Sequence, residues 1–225
     1  MTFNCRSLRS KVPQVLDIAL ENKVDILLLQ ETWLRKSDSA LLAQINEYNF
    51  EIFQVRKRHK VDLGGGVAII FNKSLKIKQI KVKQFLSFEV VGCSLETVAE
   101  EIDIFTLYYP GYSTKHKYTY LQFLSELSDF FSLFCTQRTV LVTGDFNIHF
   151  EDLERNETKL FSDILYANNL NQIITEPTHS AGGILDFVLI NDDLCHRNLI
   201  SNIQIATHNE VSDHRSICFN LKVSK

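Results

Sequence analysis

Residues 139–150 read TVLVTGDFNIHF. A strand-forming run over 139–143 stops abruptly at Gly144, Asp145, Phe146 and Asn147. A strand ending this way delivers a carboxylate and an amide to one end of a sheet, because residues i and i+2 of an extended chain point the same way. Two other stretches share this construction. Residues 25–30 (DILLLQ) run into Glu31, and residues 211–216 (VSDHRS) bring Asp213 and His214 to a strand entrance. Carboxylates, an amide and an imidazole gathered at strand ends suit metal-assisted attack on a phosphodiester.

Each of these residues also has a local reading. Glu31 could cap a strand end, Asp145 and Asn147 could form an Asx turn, and His214 could be structural. The apolar run 27–29 weighs against the first, since it marks a strand buried on both faces. A carboxylate at its rim is costly unless paired or metal-bound. Asp186 lies inside the apolar run 184–190 and needs a partner, for which His214 is the candidate. Beside Asp213, His214 suits a general base or a transition-state donor.

Outward from these segments the pattern is mixed. Helices are predicted over 10–22, with Ser10 as its cap and Pro13 in its first turn, over 118–135 and over 159–168. In the second, Leu121, Leu124, Leu127, Phe131 and Phe134 mark the expected core face. Strands are predicted at 25–30, 51–55, 66–71, 75–82, 88–95, 102–108, 139–143, 185–190, 203–206 and 216–223, with a further strand-like run at 171–175. Gly64, Gly65 and Gly66 lack the Lys and Ser/Thr of a P-loop and read as a hairpin turn into VAIIF. Without strict alternation of strands and helices, two mostly antiparallel sheets with helices outside fit better than a doubly wound parallel sheet.

At 225 residues and 45% hydrophobic content, the chain is expected to fold as one domain, 1–225, and as a monomer. A net charge of -3 means that any nucleic-acid contact must be local. Arg56, Lys57 and Arg58 open the densest basic cluster, which reads as a solvated hairpin, a backbone-binding loop or a weak nuclear localisation signal. Five cysteines without CxxC spacing read as reduced thiols. Neither a signal peptide nor a membrane-length apolar run is present in the sequence, so the expected location is nuclear or intracellular, not secreted and not membrane-bound.

In chain order stand Asn4, LLLQETWL with Glu31, GGGVAIIF, LYYP with Tyr108, VTGDFNIHF, LDFVLI with Asp186, and VSDHRS. The succession resembles the endonuclease/exonuclease/phosphatase superfamily, which includes deoxyribonuclease I and the apurinic/apyrimidinic endonucleases. NCRSLRSK, QETWL and ITEPTH followed by LDFVLI look most like the endonuclease domain of non-LTR (LINE-type) retrotransposons.

The resemblance implies an α/β fold, a four-layer sandwich with its site at one rim. It implies that Asn4 and Glu31 hold Mg²⁺, or Mn²⁺ in its place, with Asp213 close by; oxygen ligands suit a hard cation. Asp186 would orient His214, and His214 would stabilise charge on the phosphate. Asp145 would activate water or protonate the leaving 3′-oxygen, while Asn147 and Tyr108 would position water and phosphate. Tyr108, not Tyr109, has the family's two-residue spacing to Pro110.

The implied substrate is DNA, nicked to leave a 3′-hydroxyl. The implied partner is a reverse-transcriptase domain or protein of the same element. The loop over 176–183, with Thr178, His179 and Ser180, would enter the minor groove. Residues 181–185 lack the Trp that the apurinic-site enzymes usually carry there, which speaks against abasic-site repair. Two other readings use the same scaffold: a phosphatase of phosphoinositides, phospholipids or nucleotides, and a catalytically idle remnant acting as a binding domain.

Overall fold

The computed structural model describes residues 1–35, 37–56, 64–112, 118–136, 138–207 and 211–223. Its centre is the strand β8, Thr139–Asp145, which runs two residues beyond the predicted end at 143 and so carries Asp145 on the sheet itself. One neighbour is β7, Glu101–Tyr108, paired in parallel; the other is β10, Asp186–Asn191, paired antiparallel. The registers place Tyr108, Asp145 and Asp186 in one row across the sheet. Gly144 permits this spacing. Its φ is +152°, and a Cβ there would lie 2.1 Å from the Leu107 carbonyl oxygen, a clash with backbone that no side-chain rotation relieves.

The same sheet is completed by β5, Ile77–Ile80, β6, Glu89–Glu96, and β9, Leu170–Gln172, in the order β5-β6-β7-β8-β10-β9. The second sheet holds β1, Thr2–Asn4, β2, Ile26–Gln30, β3, Phe50–Val55, β4, Val67–Asn72, β11, Ile200–Ile205, and β12, Ile217–Leu221. Their order is β11-β12-β1-β2-β4-β3. Each sheet contains one parallel pair, β7–β8 or β1–β2, and is otherwise antiparallel. The expected architecture of two mostly antiparallel sheets is therefore the observed one.

Side-chain alternation divides the core into layers. Leu28 of β2 faces the other sheet, together with Val67, Ile69 and Phe71 of β4. Leu27 and Leu29 face the opposite way. There they meet Val12, Val15, Leu16 and Ala19 of the helix α1, Val12–Glu21, and Ile45 of α2, Ser39–Glu47. Beyond the other sheet lie α3, Tyr120–Phe134, and α4, Asn156–Ala167, while α5, Asp192–His196, is a short turn after β10. The result is a four-layer α/β sandwich.

Several local expectations need correction. Ser10 does not cap α1: Lys11 holds the cap position without a side-chain cap bond. α3 is capped instead by Thr119, whose side chain accepts from the Gln122 N–H in a reciprocal capping box. Its buried stripe is Phe123, Leu124, Leu127, Phe130 and Phe131, and Leu121 is exposed. The strand-like run at 171–175 is shifted to β9, and the predicted strand over 75–82 shortens to β5. α2 and α5 were not expected. Among the described residues, no helix is long and apolar enough to cross a membrane. All five cysteines are free, and Cys195 is exposed.

Candidate active site

The row of Tyr108, Asp145 and Asp186 comes from one sheet; Asn4, Glu31, Asp213 and His214 come from the other or its loops. Their meeting point is the rim where both sheets end. Asn4, at the end of β1, is fully buried, and its side-chain NH₂ donates to Glu31 Oε1 at 3.1 Å and to Asp145 Oδ2 at 2.8 Å. Its Oδ1 accepts from the Arg6 N–H at 3.1 Å. Glu31 follows β2 with φ +51° and accepts from Trp33 Nε1–H at 3.2 Å. This turn is braced by the glycine run: Thr32 and Trp33 N–H donate to the Gly66 and Gly65 carbonyls at 3.0 and 2.9 Å. A Cβ on Gly66 would lie 2.6 Å from Thr32 Oγ1. The expected hairpin turn therefore also holds the Glu31 loop in place.

Asp145 is buried, and its Oδ1 accepts from the Asn147 N–H at 3.0 Å. Asn147 has φ +49°, and its Nδ2 donates to the Tyr109 carbonyl at 2.7 Å and lies 3.4 Å from Asp145 Oδ2. The choice of Tyr108 over Tyr109 has a structural counterpart. The Tyr108 hydroxyl lies in the field of the Glu31 and Asp145 carboxylates, whereas the Tyr109 ring stacks on Phe123 at 3.8 Å. Burial, with the charges of Glu31 and Asp145, raises the Tyr108 hydroxyl far above its ordinary pKa and keeps it a neutral donor.

Asp186 and His214 form the buried pair that the sequence called for. His214 Nδ1 lies 2.8 Å from Asp186 Oδ2 and 3.1 Å from Oδ1, and its Nε2 is 3.8 Å from Asp145 Oδ2. Burial works against the imidazolium, but the Asp186 hydrogen bond and charge, with Asp145 and Asp213, outweigh it and push His214 up to about 9. Asp145 is pushed up to about 8, first by burial and then by the Asp186 charge, against the pull of His214 and Asn4. Asp145, Asp186 and His214 form one buried cluster able to hold a metal ion, and His179, Asp213 and His214 form a second.

Asp213 lies on the outer side of His214. Arg6 Nη1 donates to its Oδ2 at 2.5 Å, and His179 Nε2 lies 3.4 Å from the same oxygen. Burial would raise this carboxyl, but Arg6, His214 and His179 hold it below its ordinary value. The loop over 176–183 reaches the site through His179, whose ring meets His214 edge-on at 4.9 Å. Thr178 is fully buried, and its Oγ1 accepts from the Leu185 and Asp186 N–H groups, both at 3.0 Å. The Thr178 hydroxyl thus faces inward, under Asp186, while Ser180 N–H donates to the Asp213 carbonyl at 2.8 Å. Arg56 is engaged on the Trp33 and Gly64 carbonyls at 2.8 and 2.9 Å. Lys57 and Arg58 lie outside the described residues.

Two contributors were not found by sequence reasoning. Gln30 Nε2 donates to Thr106 Oγ1 at 2.6 Å and Thr2 Oγ1 at 3.1 Å, tying the two sheets together beneath the site. The strand pattern shows Gln30 as the last residue of an apolar run but not the sheet it faces. Arg6 lies within NCRSLRSK but no role was read for it there, and its place on Asp213 follows from left-handed turns at Arg6 (φ +39°) and Ser7 (φ +82°).

The chain matches the Endonuclease/Exonuclease/phosphatase family over residues 1–214. Solved structures agree in fold. The endonuclease domain of TRAS1, a telomere-specific non-LTR retrotransposon, is 16% identical, with TM-score 0.75 and coverage of 100% of this chain and 97% of that one. An AP endonuclease from Archaeoglobus fulgidus is 18% identical, with TM-score 0.76 and coverage of 99% and 98%. The 3′ phosphatase NExo from Neisseria, bound to a product DNA hairpin, is 18% identical, with TM-score 0.75 and coverage of 98% of each chain. None of the curated proteins matches the chain.

The raised pKa values have a consequence for stability. The folded protein holds a proton on Asp145 that the unfolded chain releases near pH 3.8, and retains it up to about 8. His214 behaves alike between 6.5 and about 9. Over both windows the folded state binds more protons, so this stabilisation fades as pH rises. In EDTA, the wild-type urea midpoint relative to Asp145→Asn should therefore fall from pH 6 to about pH 8 and level off above it. A difference that is constant or grows with pH would contradict the assignment.

Proposed function

The chain belongs to the endonuclease/exonuclease/phosphatase family, and we propose that it is a divalent-metal-dependent endonuclease that nicks DNA and leaves a 3′-hydroxyl. The observation that carries this reading is the convergence of Asp186, His214, Asp145 and Asn4 in one hydrogen-bonded and electrostatic chain across the two sheets. The choice of DNA rests on the retrotransposon-like QETWL and ITEPTH segments and on the fold shared with the TRAS1 endonuclease domain. On this reading, target-site cleavage is completed by a reverse-transcriptase domain or protein that extends the 3′-hydroxyl.

The donor set fits a hard cation. Glu31 offers an anionic oxygen and Asn4 a neutral one; the Asn4 NH₂ donates to Glu31 Oε1, the Asn4 Oδ1 accepts from the Arg6 N–H, and Asp213 lies on the outer side of the same rim. The nearby thiol, Cys5, is buried and pushed up to about 12 by that burial, so it offers no soft thiolate in competition. Mg²⁺ or Mn²⁺ held there would supply positive charge beside the phosphate oxygens.

The residues of the chain do the rest. Asp145 moves the proton, either from the attacking water or to the departing 3′-oxygen, as the P–O3′ bond breaks. Asn147 fixes the orientation of Asp145 through its own N–H, and Tyr108 donates from beside Glu31. His214, held charged at neutral pH by Asp186, offers Nε2–H to the charge that develops on the non-bridging phosphate oxygens.

Supercoiled-plasmid nicking tests this directly. Nicking should require Mg²⁺ or Mn²⁺ and stop in EDTA. Glu31→Gln should lower kcat/KM by roughly 10–100-fold through weaker metal binding, and Asp145→Ala by roughly 10²–10⁴-fold. Wild-type rates for purified Glu31→Gln would overturn the ligand assignment, and hydrolysis of phosphomonoesters without nicking would favour a phosphatase.

The loop over 176–183 is proposed to set a modest preference through the minor groove. Thr178 and His179 support Asp186 and Asp213, so only its tip is free to vary. Replacing Ser180, Ala181 and Gly182 by residues of a Gly-Ser linker should shift the nicking pattern on a sequencing ladder while activity persists. An unchanged pattern would show that the loop does not read DNA.

A further inference from the structure

The cations around the site differ in what they hold. Arg9 Nε pairs with Asp38 at 3.0 Å, and Lys11 Nζ donates to the Cys5, Arg6 and Val211 carbonyls. Arg56 and Arg215 donate to backbone carbonyls of their neighbouring loops. Each of these fastens the protein to itself. Arg6 instead points at the catalytic rim. Its Nη1 meets Asp213 Oδ2 beside His179 and His214, and its side chain is 54% exposed.

Arg6 is also held for this task at some conformational cost. A non-glycine residue at φ +39°, followed by another at +82°, is uncommon and persists only where the surroundings impose it. The surroundings here are the site itself. The Arg6 N–H donates to Asn4 Oδ1, and the Arg6 carbonyl accepts from Lys11 Nζ. The turn that grips Asn4 therefore also throws the guanidinium back over Asp213.

We propose that Arg6 is a phosphate-binding residue of this site, its guanidinium taking a backbone phosphate of the DNA strand being cut. This deepens, and rests on, the reading of the rim as a DNA phosphodiesterase. A guanidinium has five N–H donors in a planar fork that matches a phosphate, and one nitrogen suffices for the contact with Asp213. Asp213 does not depend on Arg6 alone, because Ser212 Oγ and His179 Nε2 also face its carboxylate. Arg6 can thus share itself between Asp213 and phosphate, or turn to phosphate altogether, and the partly exposed Asp213 carboxylate keeps its other contacts. In a chain of net charge -3, one cation aimed at the reacting phosphate does what global charge cannot.

Binding to a duplex oligonucleotide in EDTA, followed by fluorescence anisotropy over a series of KCl concentrations, separates this role from simple neutralisation of Asp213. Loss of one phosphate contact reduces the slope of log K against log salt by about 0.9. Arg6→Ala should show that loss and bind about tenfold more weakly at low salt, as expected for one charge-assisted contact. Arg6→Lys should restore the slope.

The decisive variant is Arg6→Ala combined with Asp213→Asn, which removes the cation together with the charge it neutralises. A slope that stays reduced supports a phosphate contact; a slope restored to the wild-type value overturns it. Lys222→Ala, at the opposite end of the sandwich, should leave the slope unchanged, and thermal unfolding of each variant confirms that it folds. Plasmid nicking in Mg²⁺, run alongside, keeps the two readings apart. Normal nicking with an unchanged Arg6→Ala slope refutes the Arg6 role alone. A wild type that neither nicks nor binds DNA refutes the endonuclease reading and the Arg6 role with it.

Discussion

A single side-chain amide joins the two halves of the site. Asn4 commits one NH₂ group to Glu31 on its own sheet and to Asp145 on the other, and its carbonyl oxygen to the Arg6 N–H. Asp145 is buried and far from easy hydration, so a donor at 2.8 Å is needed wherever the carboxylate carries charge. An apolar residue at position 4 would leave Asp145 short of a partner, and an acidic one would set a further carboxylate against Glu31 and Asp145. The spacing that makes this contact fit is fixed below it by the Gln30–Thr106 hydrogen bond and by the packing of Leu28 and Val67 between the sheets. The register of β7, β8 and β10 then brings Tyr108 and Asp186 level with Asp145. Electrostatics, proton placement and access to phosphate at this rim all depend on that geometry.

The fold was legible wherever the chain alternates or runs apolar without interruption. The run 27–29 implied a strand covered on both faces, and Leu28 and its neighbours Leu27 and Leu29 do face different layers. What escaped was short or weakly periodic. α2 buries only Ile45 fully, so its apolar stripe is faint, and α5 is a single turn capped by Asn191. β11, expected over 203–206, begins at Ile200; its bulge between Ser201 and Gln204 and its exposed residues blur the period-two signal of its first half. The face expected for α3 holds at Leu124, Leu127 and Phe131, with Phe134 half-buried against the core, and fails at Leu121, which is apolar yet points to solvent.

The site was legible as chemistry but not as geometry. Acidic and amide residues at strand ends, and an acid inside an apolar run, identify groups that need partners, and the Asp186–His214 pair is one such solution. Contacts made across the sandwich between residues distant in the chain have no local trace, and Asn4 to Asp145 spans 141 positions. The same holds for Arg6, whose role is set by two left-handed residues that ordinary composition does not announce. Thr178 was read as a groove contact, but its hydroxyl closes inward over two backbone N–H groups, and the loop's support of Asp186 depends on it.

The central claim is that this rim cleaves the bond between phosphorus and the 3′-oxygen of a DNA strand. The chemistry of the ends it leaves tests that most directly. Plasmid nicked by the wild-type protein in Mg²⁺, then freed of metal and protein, should serve at once as a primer for a DNA polymerase, with no phosphatase treatment. Ends that extend only after removal of a 3′-phosphate would place the cleavage on the other side of phosphorus and contradict the account.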